Sequence, residues 1–293
     1  MIMSEETVPF CCAFCGVAVC DAAKWKGCDG CDLVKYCSDD CQRYHRPLHL
    51  EECRKRAAVL RDELLFKQPE STHLGDCPIC MFPLPIDMTK SNMNMCCSKV
   101  ICDGCVYATA KRGLEMRLRP SCAFCRQPVL FTEEENYKLR TKRIEMNDPV
   151  ALCQEGTQKY SVGDYQSAFE YWLKAAELGY AHAHFKLSLL FLTGKGVEKD
   201  REKEIHHLEE AAIGGHPKAR FHLGGHELKN GSAERAVKHW IISATQGDDN
   251  SIKMLMKAFK RGLLEKEDLD SALRAHKAAV DATKSPHRDM AEE

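Results

Sequence analysis

The chain has 293 residues, enough for two or three compact units, and its 42 basic and 43 acidic residues balance to a net charge of −1. Charge that even gives no global pull towards nucleic acid or an acidic membrane surface. Of the 18 cysteines, 17 lie between Cys11 and Cys125, and Cys153 alone falls outside.

The amino terminus, Met1-Ile2-Met3-Ser4-Glu5-Glu6, has no basic stretch followed by an apolar core. The apolar run Leu187 to Leu192, broken by Ser188, is far too short to span a bilayer. The expectation is an intracellular protein, cytoplasmic or nuclear, with neither nucleic acid nor membrane as a partner. Disulfides are rare in that setting, so paired Cys-x2-Cys knuckles read as zinc ligands.

The first cluster offers Cys12-x2-Cys15, Cys28-x2-Cys31, Cys37-x3-Cys41 and His49-x3-Cys53. Eight ligands suffice for two closed tetrahedral sites. Some forty residues bury too little apolar surface to fold alone, whereas zinc supplies roughly 10–16 kcal/mol of apparent folding free energy per site. If the first and third pairs share one ion and the second and fourth the other, each ion ties distant segments together. His45 competes with His49, which has the better spacing to Cys53. Cys11 is a poorer alternative to Cys12, and Cys20 reads as a spare thiol.

The run Tyr36-Cys37-Ser38-Asp39-Asp40-Cys41-Gln42, with His49 and Cys53 beyond it, resembles the second half of a MYND zinc finger. That resemblance spans Cys12 to Cys53. It implies one zinc at Cys12, Cys15, Cys37 and Cys41 and a second at Cys28, Cys31, His49 and Cys53. It also implies a binder of short proline-containing peptides. Arg46 stands where the family commonly has a tryptophan.

A charged stretch from Arg54 to Lys67, with Ala58, Val59, Leu60, Leu64 and Leu65 at helical spacing, predicts a helix ending before Pro69. The second cluster follows: Cys77-x2-Cys80, Cys96-Cys97, Cys102-x2-Cys105 and Cys122-x2-Cys125. Its spacing again permits two interleaved sites. The text from Cys97 to Cys102 resembles the centre of a RING finger whose usual histidine would fall at Lys99, which is no plausible ligand. Either Cys96 supplies the missing thiolate or that site has three protein ligands; Cys96 is the favoured candidate. RING resemblance implies docking of a ubiquitin-conjugating enzyme and E3 ubiquitin-protein ligase activity with no catalytic residue of the finger's own. It places Ile79 at the apolar contact to that enzyme and Arg126 at the linchpin beside the transferred ubiquitin. A plain packing residue and a solvated charge are the alternative readings of these two. Ala123 replaces a proline common in active members.

The polar segment from Thr132 to Asp148 predicts a second helical linker, closed by Asp148-Pro149. From Val150 the text becomes alanine-rich. Ala175-Ala176, Ala211-Ala212 and Ser243-Ala244 are each followed, three residues on, by Gly179, Gly215 and Gly247. Ala278-Ala279 begins a fourth, degenerate copy. Such a period suits a two-helix solenoid unit, with the glycines at left-handed helix ends. The stretches Gly163 to Gly179 and Leu192 to Asp200 resemble Sel-like repeats, relatives of the tetratricopeptide repeat, which implies a surface that binds proteins. Trp172, Phe169, Phe185 and Leu189 read as core. His182, His184, His222 and His226 read as core or surface, since no metalloprotease or nucleophile motif accompanies them.

The expected architecture is multi-domain: a MYND finger (1–56), a helical linker (57–72), a RING-like cross-brace finger (73–130), a second linker (131–149), an all-α two-helix repeat solenoid (150–285) and a tail (286–293). Four structural zinc ions per chain are expected, and an array that stands independently of the fingers.

Overall fold

In the computed structural model, residues 11–17, 25–31, 33–129 and 132–291 are described; Cys20 lies outside them. The chain divides into two compact units, residues 1–67 and 68–293.

In the first unit, strands β1 (Lys26–Gly27) and β2 (Lys35–Tyr36) pair antiparallel. Helix α1 (Asp39–Leu65) follows at once. Ser38 caps it by accepting a hydrogen bond from the Cys41 N–H, and Asp39 and Asp40 place negative charge at its positive end. The helix continues unbroken through residue 56, where the sequence suggested that finger gives way to linker, because nothing between Arg54 and Leu65 stops it.

The second unit begins with residues 68–76, which lie along the repeat array. The His73 N–H donates to the Gly215 carbonyl at 3.0 Å, and the Gln246 side-chain amide donates to the carbonyls of Ser71 and Gly215. Gly215 has φ +79°, and a Cβ there would come within 2.9 Å of the Ser71 carbonyl oxygen, so both conformation and approach require glycine. The second finger is a hairpin of β3 (Ser91–Asn94) and β4 (Lys99–Cys102), then helix α2 (Asp103–Glu115). Leu84 and Ile101 are buried at its centre, with Leu74, Val100 and Val106 against them.

Helix α3 (Glu133–Glu145), capped by Thr132, occupies the expected second linker. It is no free spacer. Ile144 packs on the core of the array, Arg140 forms a 2.7 Å ion pair with the buried Glu155, and Arg143 joins Asp148 to Ser98 of the finger hairpin.

Eight helices form the array: α4 (Pro149–Ser161), α5 (Tyr165–Glu177), α6 (Ala181–Thr193), α7 (Arg201–Ile213), α8 (Pro217–Lys229), α9 (Ala233–Thr245), α10 (Asp249–Lys260) and α11 (Lys266–Ala282). Asp148, Asp164, Asp200, His216 and Asp248 cap helix starts through their side chains. Gly179, Gly215 and Gly247 take positive φ, as their spacing predicts. Ala175, Ala176, Ala211, Ala212 and Ala244 are buried, letting neighbouring helices approach closely. In the degenerate fourth copy Ala278 is exposed and Ala279 half-buried on α11. A short helix, α12 (Pro286–Met290), packs on α2 of the second finger. The second finger and the array therefore form one compact unit, so the array touches the finger more closely than the linkers expected from sequence imply. Docking by residues 68–76, α3 and α12 is the physical reason.

Candidate metal centres

Three of the knuckles share one backbone design. In each, the residue after the second cysteine takes a left-handed conformation: Gly16 (φ +72°), Met81 (φ +59°) and Arg126 (φ +64°). Its N–H returns to the carbonyl of the first cysteine, Gly16 to Cys12, Met81 to Cys77 and Arg126 to Cys122, at 2.9–3.0 Å. The first cysteine's N–H in turn bonds the carbonyl of Val17, Phe82 or Gln127. The tight loop turns both sulfurs to one side.

Four sets of ligand atoms result, each gathered within 4.8 Å: Cys12, Cys15, Cys37 and Cys41; Cys28, Cys31, His49 and Cys53; Cys77, Cys80, Cys102 and Cys105; Cys96, Cys97, Cys122 and Cys125. Zinc–sulfur bonds of about 2.3 Å in a tetrahedron put sulfurs about 3.8 Å apart. Cys15 and Cys37 are 3.6 Å apart, Cys37 and Cys41 3.6 Å, Cys28 and Cys53 3.6 Å, Cys80 and Cys102 3.7 Å, and Cys97 and Cys122 4.0 Å. The donor sets fit zinc, and in both fingers the pairs interleave.

The thiols show why a cation belongs there. At Cys12 burial opposes ionisation, but backbone N–H groups of Cys15, Cys37 and Phe14 outweigh it and draw the thiol down to about 6. Cys77 is likewise drawn down to about 7, against burial, by N–H groups of Cys80, Cys102 and Ile79. Contacts with Cys41 and Cys15 push Cys37 up to about 12. Contact between neighbouring thiols thus opposes the ionisation of Cys37 while it is favoured at Cys12, and a divalent ion lets all four ionise.

Two sequence ambiguities have geometric answers. His49 Nε2 lies 3.1 Å from Cys31 Sγ, inside the second set. His45 stacks flat on the His49 ring and meets the Tyr36 hydroxyl through Nδ1, so it braces the ligand. Cys96 joins the fourth set, its sulfur 3.3 Å from Cys125, while the Lys99 ammonium lies over the Phe124 ring. The side chains of Ile79 and Arg126 are both exposed, on separate knuckles.

A histidine cluster was not foreseen. His73, from the lead-in to the second finger, meets His182 and His216 of the array. No local pattern links residues so far apart. The His216 Nδ1 accepts the capping bond from the Ala219 N–H, so its Nε2 carries the proton and donates to His182 Nδ1 at 3.1 Å. Burial, with Lys218 adding to it, holds His73 near 4, and burial likewise holds His182 near 3. The rings stack on one another and on Phe185, and Lys218 and Lys186 lie near enough to oppose a dication, so the cluster reads as a packed polar core. His184 bonds His207 and His226 bonds Glu204, also within the array.

Elemental analysis of protein purified without chelator should give four zinc ions per chain. A value near two would mean that one finger holds no pair of ions.

Comparison with known proteins places these centres. Residues 12–53 match the MYND finger, and residues 151–180, 181–216 and 218–248 match the Sel1 repeat. The "DAP3-binding cell death enhancer 1" of Mus musculus is 25% identical over 174 residues, covering 46% of this chain and 34% of that protein. Its counterpart in Rattus norvegicus is 22% identical over 203 residues, covering 56% and 40%. The chain thus spans between a third and two fifths of these relatives' length. A Sel1 repeat protein from Oxalobacter formigenes, of known crystal structure, is 29% identical with a TM-score of 0.45, covering 52% of this chain and 65% of that one. Among the described residues no helix is long and apolar enough to cross a membrane. With its MYND finger, its further cysteine centres and its Sel1 repeats, the chain is a zinc-binding protein-interaction adaptor.

Proposed function

We propose that the second finger is a RING-type docking module for a ubiquitin-conjugating enzyme, and that the MYND finger and the array recruit the proteins to be modified, in cytoplasm or nucleus. The observation that carries this reading is Ile79. An apolar side chain between two metal ligands is 40% exposed on a knuckle braced by two backbone hydrogen bonds, with Met81 and Phe82 exposed beside it. Exposed apolar residues on a rigid turn suit a partner better than they suit water. Arg126 is exposed directly after the last ligand, where a guanidinium fork can hold two acceptors at once. In the MYND finger, Asp39, Gln42 and Arg46 lie beside the ligands Cys28, His49 and Cys53, on the face proposed to receive a short proline-containing peptide. For the array, the printed name of the "DAP3-binding" relatives supports a protein partner.

The test is self-ubiquitination across a panel of conjugating enzymes. Ile79→Ala should weaken enzyme binding roughly tenfold, from the apolar area it withdraws. Arg126→Ala should spare binding and slow transfer, since its fork acts on the closed arrangement. Both variants should keep their zinc, and Cys77→Ser should be inactive. No chain formation by the wild type with any conjugating enzyme would leave a scaffold that joins proteins without modifying them.

A further inference from the structure

The end of the described chain returns to a metal centre. Ser285 caps α12, accepting from the Arg288 N–H, and Pro286 opens the helix. The Arg288 side chain then passes into the second finger, leaving the residue only 7% exposed. Its Nη1 donates to the carbonyls of Pro83, at 2.8 Å, and Thr283, at 2.6 Å. Its Nη2 donates to the Phe82 carbonyl at 3.3 Å and to Cys80 Sγ at 3.5 Å. The guanidinium carbon sits 6.0 Å from the Phe82 ring centroid. The finger is shaped to receive it. A Cβ on Gly104, which stands between ligands Cys102 and Cys105, would come within 2.7 Å of the Arg288 backbone nitrogen and 2.8 Å of its Cγ.

We propose that Arg288 is a positioning residue of the Cys77–Cys80–Cys102–Cys105 centre, and that docking of α12 governs how long that centre keeps its zinc. Four thiolates around one Zn²⁺ carry a net charge of −2. A buried guanidinium beside them stabilises the loaded centre through Coulomb attraction and a charge-assisted N–H···S bond. Only the loaded centre needs Cys80 held in this place, and that is what makes Arg288 favour the loaded state. The same fork holds the carbonyls of Phe82 and Pro83, so it fixes the turn that aims Cys80. By reciprocity, zinc in this centre should hold α12 in place.

The experiment follows zinc transfer from the full chain to a chromophoric chelator. Arg288→Ala should speed loss of one zinc of four by about tenfold or more, the range seen when partners of metal ligands are removed. Gly104→Ala should do the same with Arg288 intact, because its Cβ pushes α12 away. Arg288→Lys keeps the charge but not the fork and should fall between wild type and Arg288→Ala. In cadmium-loaded protein, the ¹¹³Cd resonance of this centre should shift in Arg288→Ala while the other three stay in place. Hydrogen exchange at residues 286–290 reports whether α12 is docked. If exchange there rises in Arg288→Ala while all four zinc ions leave at wild-type rates, Arg288 anchors the helix only and the proposal fails. Equal acceleration of all four losses would overturn it as well, since the effect would then be global.

Discussion

Breaking the Cys77–Cys80–Cys102–Cys105 centre, by Cys102→Ser in the full chain, should unfold residues 74–129 and lower the melting temperature of the array without melting its helices at 25 °C. The finger has only a small core around Leu84 and Ile101, so losing one site, worth roughly 10–16 kcal/mol of apparent folding free energy, removes its order. The array keeps its own buried cores, one around Trp172 and Leu187 and another around Trp240 and Leu255. It loses the hydrogen bonds of His73 and Ser71 to the Gly215–Gln246 region, the Arg143 link to Ser98 and the seat of Arg288. Each such bond contributes about 1 kcal/mol. For a unit of this size, each kcal/mol moves the midpoint by about 2–4 °C, so a fall on the order of 10 °C is expected. Circular dichroism with temperature, read beside fluorescence from the array's tryptophans, checks this. An array melting at the wild-type temperature would show that the finger contacts contribute nothing.

The course of this coupling marks where sequence stops being informative. Knuckle spacing carries the metal centres, because a tetrahedral ion needs two ligands from one tight turn and two from another, and both turns are local. The Ala-Ala-x-x-Gly text carries the repeats for the same reason: small residues and left-handed helix ends are set within one helix pair. What holds the second finger to the array is different. Ser71 meets Gln246, His73 meets Gly215, and Arg288 meets Cys80, pairs separated by 140 residues or more with no periodic signal. A lone arginine near the end of a polar tail has nothing in its neighbours to distinguish it from a solvated charge. Gly104 and Gly215 carried the only trace, and a glycine that permits close approach looks like any other glycine until the approaching chain is seen.

The largest single-residue effect within the array should come from Trp240. In helix pairs α4–α5 and α8–α9, the eighth residue of the first helix is glycine and the eighth of the second is tryptophan: Gly156 with Trp172 and Gly224 with Trp240. Each indole lies close against the glycine, so that a Cβ on Gly156 would approach Trp172 to 2.6 Å and one on Gly224 would approach Trp240 to 2.4 Å. Each indole N–H also reaches the carbonyl three residues before that glycine, Cys153 or Phe221. The intervening pair α6–α7 has Ser188 and Leu208, both buried, at the corresponding positions, a slightly larger residue than glycine and a smaller one than tryptophan. Trp240→Ala should therefore cost about 3–5 kcal/mol through the cavity it leaves. Gly224→Ser alone should cost about 1–3 kcal/mol through overpacking against a rigid ring. Trp240→Leu alone leaves space beside Gly224. The double variant Gly224→Ser with Trp240→Leu copies the middle layer, so it should be more stable than the sum of the singles by about 1–2 kcal/mol. Denaturant melts of the four proteins give this coupling directly. Strict additivity would mean that the glycine and the ring do not share one packing site.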